Sequence, residues 1–232
     1  MRGFIRAPEL SPLEPVRLTA EQRTVAHMAA SLLLDYPSAE RLAQYEVVGA
    51  AIAGLPHEVR ERLTAFLAHA GAVGEEALAA HYVATFDQKR KCSMYLSYFL
   101  TGDTRKRGTA LVRFVEAYRA AGWELDRAEL PDFLPLVLEF SARGDAEIAA
   151  GLLGTHRQGI EVLRSALTAM GSPYAGVVEA VCLTLPPVTA EVRDRYLELI
   201  TAGPPTEMVG LNALGPLEPY SPGGSANQEA RI

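Results

Sequence analysis

The apolar positions of this chain recur three and four residues apart, the spacing that gathers them on one face of an α-helix. Val25, Met28, Ala29, Leu32 and Leu33 form the first such stripe, and Tyr36-Pro37 ends it. Thr19 and Gln22, just ahead, have the spacing of a capping box, in which a hydroxyl and a side-chain amide satisfy backbone N–H groups that the first turn leaves free. Ser38 caps a second segment that carries Leu42, Tyr45 and Ile52 and is interrupted at Gly54 and Pro56. Val59, Leu63, Phe66 and Leu67 mark a third, ending before Gly71, and a fourth runs from Glu75 through Leu78 and Tyr82 to Phe86.

The second half repeats the pattern. Tyr95 and Tyr98 stand within one helical turn, and Ser93 and Ser97 fit the same helical pattern. Leu111, Phe114, Val115 and Tyr118 share a face that Gly122 terminates, with Trp123 plugging the next connection. Leu134, Val137, Leu138 and Ser141 predict a helix after Pro131-Asp132; Ile160, Leu163, Leu167 and Met170 predict a longer one after Thr155. Ser172-Pro173 is a start signal, because proline at the first helical position loses no hydrogen bond and presets φ. Tyr174, Val177, Val178, Val181 and Leu185 come next on one face, Pro186-Pro187 stops them, and Val192, Tyr196, Leu199 and Ile200 outline a last helix. Period-two alternation is missing, and so is any fixed repeat. The expectation is an all-α, single-domain bundle over 19–202, preceded by an irregular arm at 1–18. A disordered tail is expected at 203–232, where Pro, Gly, Ser and Asn cannot bury enough apolar area to offset chain entropy.

Composition agrees with a folded, soluble chain: of 232 residues, 49% are hydrophobic and 22% charged. The net charge of -6 and pI near 5.5 argue against a helical scaffold that binds nucleic acid, which normally carries a basic footprint. Cys92 and Cys182 lie far apart and neither has a metal-ligand neighbour, so a disulfide framework is not expected. The first residues lack the continuous apolar stretch of a secretory signal, and no run reaches membrane-span length, so a cytoplasmic location is expected.

Catalytic signatures are absent. There is no glycine-rich phosphate loop, and the histidines at 27, 57, 69, 81 and 156 are scattered, without an HExxH pair. Asp87 and Glu139, beside aromatic residues, are the first candidates for an acid or base, against the plainer reading of carboxylates that cap a helix or pair with arginine. Cys92, next to Lys91, is either an activated thiol or an inert packing residue. The basic groups at 89–91 and 105–107 either flank a turn as solvated helix ends or hold an anion, so an enzyme or binding module for an anionic small molecule gripped by Arg105 and Arg107 is the alternative function. Tyr82, Phe86, Tyr95, Tyr98 and Phe99 fit either a groove for an amphipathic peptide helix or a packed core.

One combination is more specific. Tyr82-x-x-Thr85-Phe86-Asp87, a basic segment after it, Gly102-Asp103-Thr104-Arg105-x-Arg107-Gly108, Tyr118-Arg119, Glu129-Leu130-Pro131-Asp132 and Leu134-Pro135-Leu136-Val137-Leu138-Glu139-Phe140 together resemble the NarJ family, the molybdenum-cofactor assembly chaperones of respiratory nitrate reductase within the wider TorD-like group. The resemblance runs from about Val25 to Leu199. It implies an all-helical cytoplasmic chaperone of the TorD-like type, without catalysis or a cofactor or metal of its own. Its partner would be the catalytic (alpha) subunit of respiratory nitrate reductase, held by its N-terminal segment while the molybdenum cofactor and an iron-sulfur cluster are inserted, before membrane docking. Carried over by position, the client-binding residues are Tyr82, Phe86, Asp87, Asp103, Arg105, Glu129, Asp132 and Glu139, with Pro131 beside them. Phe133 departs from the pattern, since many relatives have histidine after the Pro-Asp pair. On this reading Asp87, Asp132 and Glu139 meet basic client residues, while Tyr82 and Phe86 supply apolar surface.

Overall fold

The computed structural model describes residues 13–125, 129–187, 189, 190 and 194. Among these residues the regular structure is helical, with no strand. The expected last helix around Val192 to Ile200 falls almost wholly outside the described residues, as do the tail at 203–232 and the first twelve residues of the arm. The rest of the arm, from Leu13 to Leu18, is non-helical. Val16 N–H donates to Leu183 O at 2.9 Å, which ties the arm to the far end of the domain.

Helix α1 (Ala20–Leu34) starts as its capping box requires: Gln22 N–H donates to the Thr19 hydroxyl at 3.1 Å, and Thr19 N–H donates to the Gln22 amide oxygen at 3.0 Å. Two short helices come next, α2 (Ala39–Ala43) and α3 (Tyr45–Ala51), where the sequence pattern read one. Helix α4 (His57–Val73) runs past Gly71 and stops at Gly74, whose φ of 79° is a left-handed value that glycine adopts without a Cβ penalty. Helix α5 (Glu75–Tyr82) loosens into a π-turn at Val83–Asp87, a form frequent at functional sites.

A single-turn 3-10 helix at Arg90–Cys92 leads to α6 (Tyr98–Thr101), and then to α7 (Lys106–Ala120). Residues 93–97 are not helical. Their backbone is drawn into an antiparallel bridge between Tyr95 and Phe133, a long-range pairing that local periodicity does not register. The chain continues as α8 (Leu134–Arg143), α9 (Ala146–Thr155), α10 (Arg157–Ala169) and α11 (Tyr174–Thr184). Helix α9 was not visible in the pattern, because Ala-Glu-Ile-Ala-Ala-Gly-Leu-Leu-Gly is apolar almost all round and offers no polar face for contrast.

Helix α8 packs between α1 and α9, while α11 packs among α1, α4 and α10. Leu33, Leu34, Val59, Leu63, Leu134, Val137, Ile160 and Val177 meet there, essentially sealed from water. Burying a side chain of this size contributes about 1.5–3 kcal/mol, which is what holds helices this short in place. Some interior polar groups are satisfied across helices, as where the Ser31 hydroxyl donates to Pro135 O at 2.7 Å, whereas the Gln158 side-chain amide is buried without a partner among the described residues. A wholly buried carboxylate, Glu161, accepts from Arg157 Nε at 2.9 Å and Arg164 Nε at 2.7 Å. Gly159 lets α10 approach α6, since a Cβ there would stand 2.7 Å from Cδ2 of the Phe99 ring.

Candidate functional site

The bridge between 93–97 and the start of α8 organises Asp103, Glu129 and Asp132 of the motif residues. Leu96 N–H donates to Asp132 O at 2.9 Å and Leu134 N–H to Met94 O at 2.8 Å. The Asp132 side chain, at 0% exposure, accepts from Ser97 N–H at 3.0 Å and from the Ser97 hydroxyl at 2.6 Å, both through Oδ2. Tyr118 Oη donates to Pro131 O at 2.6 Å, fixing the same segment from α7. Asp132 is therefore a clamp between two distant stretches of chain.

Around this clamp the structure gathers Asp103, Glu129, Tyr95 and Arg107. The Tyr95 ring lies against Phe133, centroids 5.5 Å apart, beneath the Arg107 guanidinium at 5.5 Å. Tyr95 Oη donates to Glu129 Oε1 at 3.1 Å, and Arg107 Nη1 donates to Asp103 Oδ1 at 3.3 Å. Burial, followed by the Glu129 charge, pushes the Tyr95 hydroxyl up to about 12, so it remains a donor at any physiological pH. Arg107 thus has an exposed ion pair on one side and a ring contact on the other. Arg105 is exposed at the N-terminal edge of α7.

Tyr82 and Phe86 belong to a different group. With Tyr174, Phe66 and Tyr45 they form an aromatic column in edge and tilted contacts between 4.8 and 6.3 Å. Tyr82 is 6% exposed and Phe86 9%, so both are interior residues rather than walls of an open groove. Tyr36, 47% exposed, closes the column with its ring centroid 5.4 Å from that of Tyr82. Burial raises the Tyr82 hydroxyl well above its ordinary range, with Asp35, Tyr174 and Asp87 adding to the shift. Asp87 itself is exposed.

Glu139 stands apart on α8, buried, and accepts from Arg143 Nη1 at 2.7 Å. Arg143 lies over Trp123 at 5.8 Å and borders a cleft of about 450 Å³ that Glu139 also lines. The same arginine edges the feature that sequence reasoning missed, an open groove of about 560 Å³ between α1, α3 and α8. Val25, Met28, Leu32, Val47, Val48 and Ala51 make it apolar, and Val47 is 70% exposed. The only sequence signal for it is the breadth of the α1 stripe, in which Val25, Met28 and Leu32 lie to one side of the sealed core positions.

The thiols fit a packing role. Both cysteines are buried, and desolvation raises Cys92 and carries Cys182 up to about 12. Among the described residues no group of three His, Cys, Asp or Glu is placed to hold a metal, and no helix is long and apolar enough to cross a membrane.

The family model described as nitrate reductase delta subunit matches residues 52–179. Among individual relatives, "Nitrate reductase-like protein NarX" of Mycobacterium tuberculosis is 39% identical over 160 residues; the match covers 69% of this chain and 24% of that protein, so this chain corresponds to a minor part of it. "Probable nitrate reductase molybdenum cofactor assembly chaperone NarJ" of Bacillus subtilis is 33% identical over 169 residues, covering 72% of this chain and 92% of the relative. NarJ of Escherichia coli, named as a chaperone of the same kind, is 35% identical over 116 residues, 49% of each chain. A solved structure from Archaeoglobus fulgidus, a candidate redox enzyme maturation protein, shares the fold at a TM-score of 0.52 and 24% identity, covering 72% of this chain and 96% of that one.

Proposed function

The chain belongs to the nitrate reductase delta subunit family, and from that premise we propose that it is the assembly chaperone of a respiratory nitrate reductase. Its relatives named as molybdenum cofactor assembly chaperones support a chaperone role. In this reading the protein acts in the cytoplasm without chemistry of its own. It grips the N-terminal segment of the catalytic subunit while the molybdenum cofactor and an iron-sulfur cluster are inserted, and it delays membrane docking.

The observation that carries the reading is the apolar groove between α1, α3 and α8. An amphipathic client helix laid there exchanges two wetted apolar faces for one buried interface, worth about 25 cal/mol per Å² before ordering costs. Arg143, held by Glu139, sets the polar edge of the groove. Asp103, Arg105 and Glu129, all exposed, supply a second, charged surface for the client, and Asp87, at the end of the π-turn, is exposed as well. Tyr82, Phe86 and Asp132 act from the interior, by fixing the turns that present those charges. The rival reading, an anionic small molecule held by Arg105 and Arg107, is disfavoured by the engagement of Arg107 with Asp103 and Tyr95.

Calorimetry with a synthetic peptide of the catalytic subunit's N-terminal segment tests this. Val47→Asp is expected to weaken binding by about tenfold or more, since a charge forced against an apolar face costs on the order of 1.4 kcal/mol or more. Its melting temperature should stay at the wild-type value, because Val47 is on the surface. Unchanged affinity would move the client elsewhere.

A further inference from the structure

The C-terminal turn of α8 already holds a cation. Arg143 Nη1 donates to Glu139 Oε1 at 2.7 Å, and the guanidinium lies over the Trp123 ring at 5.8 Å. Backbone carbonyls at a helix C-terminus add partial negative charge to the same place. A carboxylate, an aromatic face and a helix end each favour a positive group. The two partners are unequally placed: the Glu139 side chain is 11% exposed and that of Arg143 62%. The acceptor is therefore built into the domain, while its occupant stays mostly in water.

The cleft around this pair suits a long side chain with a charged tip. Among the described residues that line it, Trp123, Leu125 and Leu136 give apolar wall, and Glu124 and Glu139 set two carboxylates against one guanidinium, that of Arg143. Trp123 is held in position. Its N–H donates to Tyr118 O at 2.9 Å, and its ring meets Phe140 edge-on with centroids 5.4 Å apart. Gly144 admits the ring, since a Cβ there would stand 2.8 Å from Trp123 Cε3. The wall thus exists before any ligand arrives, which keeps the ordering cost of binding small. Arg143 also borders the apolar groove, so the cleft and the groove meet at this residue.

We infer that this cleft is a pocket for one lysine or arginine side chain of the client, and that Arg143 fills its cationic position until the client's residue takes its place. The inference rests on the reading of the groove as the client site and adds what the client must carry: a basic residue beside the apolar face that it lays between α1, α3 and α8. The exchange leaves Glu139 paired with a cation throughout, so no buried carboxylate is stranded. Arg143 swings into water, where most of its side chain already lies. Glu124, exposed in the same cleft, meets the incoming charge, so a neutral peptide of equal shape gains the groove without the pocket.

Calorimetry on the full-length chain tests the pocket, using the synthetic N-terminal peptide of the catalytic subunit and copies in which each lysine or arginine is changed in turn to glutamine. One of those copies should bind about threefold or more weakly, Glu124→Gln should weaken the unaltered peptide by a similar factor, and the two changes together should cost little more than either alone. Additive losses, or no peptide position that couples to Glu124→Gln, overturn the inference. Arg143→Gln should act in the opposite direction. With its resident cation gone the pocket should bind the unaltered peptide about threefold or more tightly, and the peptide should raise the melting temperature of this variant more than that of wild type, because it pairs Glu139 again. Lower affinity in Arg143→Gln would make Arg143 itself the client contact and overturn the exchange. The groove reading is judged separately: Val47→Asp without effect removes the groove, whereas a loss with Val47→Asp and none with Glu124→Gln keeps the groove and removes the pocket.

Discussion

Asp132 has no exposure, and its two hydrogen bonds to Ser97 satisfy Oδ2 while Oδ1 is buried without a partner among the described residues. Removing it strands a buried N–H and a buried hydroxyl, so Asp132→Ala should cost about 3 kcal/mol. In a domain of this size that amounts to a melting temperature lower by about 10 °C in calorimetry. Asp132→Asn keeps an acceptor in place and should lose well under half as much. Equal losses in the two variants would show that the charge, not the acceptor, is what the clamp uses. His27 makes a comparable prediction about pH. The Thr184 hydroxyl donates to Val181 O at 2.7 Å, so it accepts from His27 Nε2 at 2.7 Å, and Nδ1 accepts from the Ser141 hydroxyl at 2.8 Å. The ring is thereby fixed as the neutral Nε2–H tautomer. Burial, then Arg23, lowers its pKa from 6.5 to about 4. A histidine depressed in the folded state contributes stability that is complete above pH 6.5 and is lost as pH falls towards 4, here about 3 kcal/mol. His81 and His156 are lowered as well and act in the same direction. Urea midpoints should therefore fall through that window in wild type and fall less in His27→Gln.

At the scale of elements, the contact of α10 with α6 hinges on a missing methyl group. Gly159→Ala puts a Cβ 2.7 Å from the Phe99 ring and should destabilise by about 1–3 kcal/mol. Phe99→Leu in the same chain should recover part of that loss, and a double-mutant cycle in urea measures the coupling; independent, additive losses would place the strain elsewhere. The elements differed in how readable they were. Helices α1, α4 and α10 have a polar side to contrast with the apolar one, and α11, apolar nearly all round, was marked off by its Ser172-Pro173 start and Pro186-Pro187 stop. Helix α9 lacks that contrast and any proline punctuation, and 93–97 has a helical pattern because Ser93 and Ser97, like Tyr95 and Tyr98, sit at helical spacings. The bridge to 132–134 overrides local preference there, and no window of neighbouring residues contains it. The site divided in the same way. The motif residues around Asp103, Glu129 and Asp132 were identifiable as a group, but whether a carboxylate faces in or out depends on partners far along the chain. Tyr82 and Phe86, expected as apolar surface, build the core instead. The groove was invisible because its residues are the flank of an ordinary stripe.

For the whole molecule, two surfaces on one helical body answer the needs of a chaperone: an apolar groove for a helix and an exposed set of charges, with a rigid interior between them. Charge reversal separates these surfaces. Asp103→Lys/Glu129→Lys leaves the groove intact, so it should lower the association rate and flatten or invert its decline with salt while the dissociation rate changes little. Stopped-flow fluorescence at two ionic strengths would show this, and rates identical to wild type would remove that surface from the client interface. The central claim is assembly, and it is tested most directly by producing the nitrate reductase catalytic subunit with this chain, without it, and with Val47→Asp, then measuring molybdenum per catalytic subunit. The expected result is full loading with the wild-type chain, little without it and reduced loading with the groove variant. Equal molybdenum content in all three preparations would contradict the chaperone assignment.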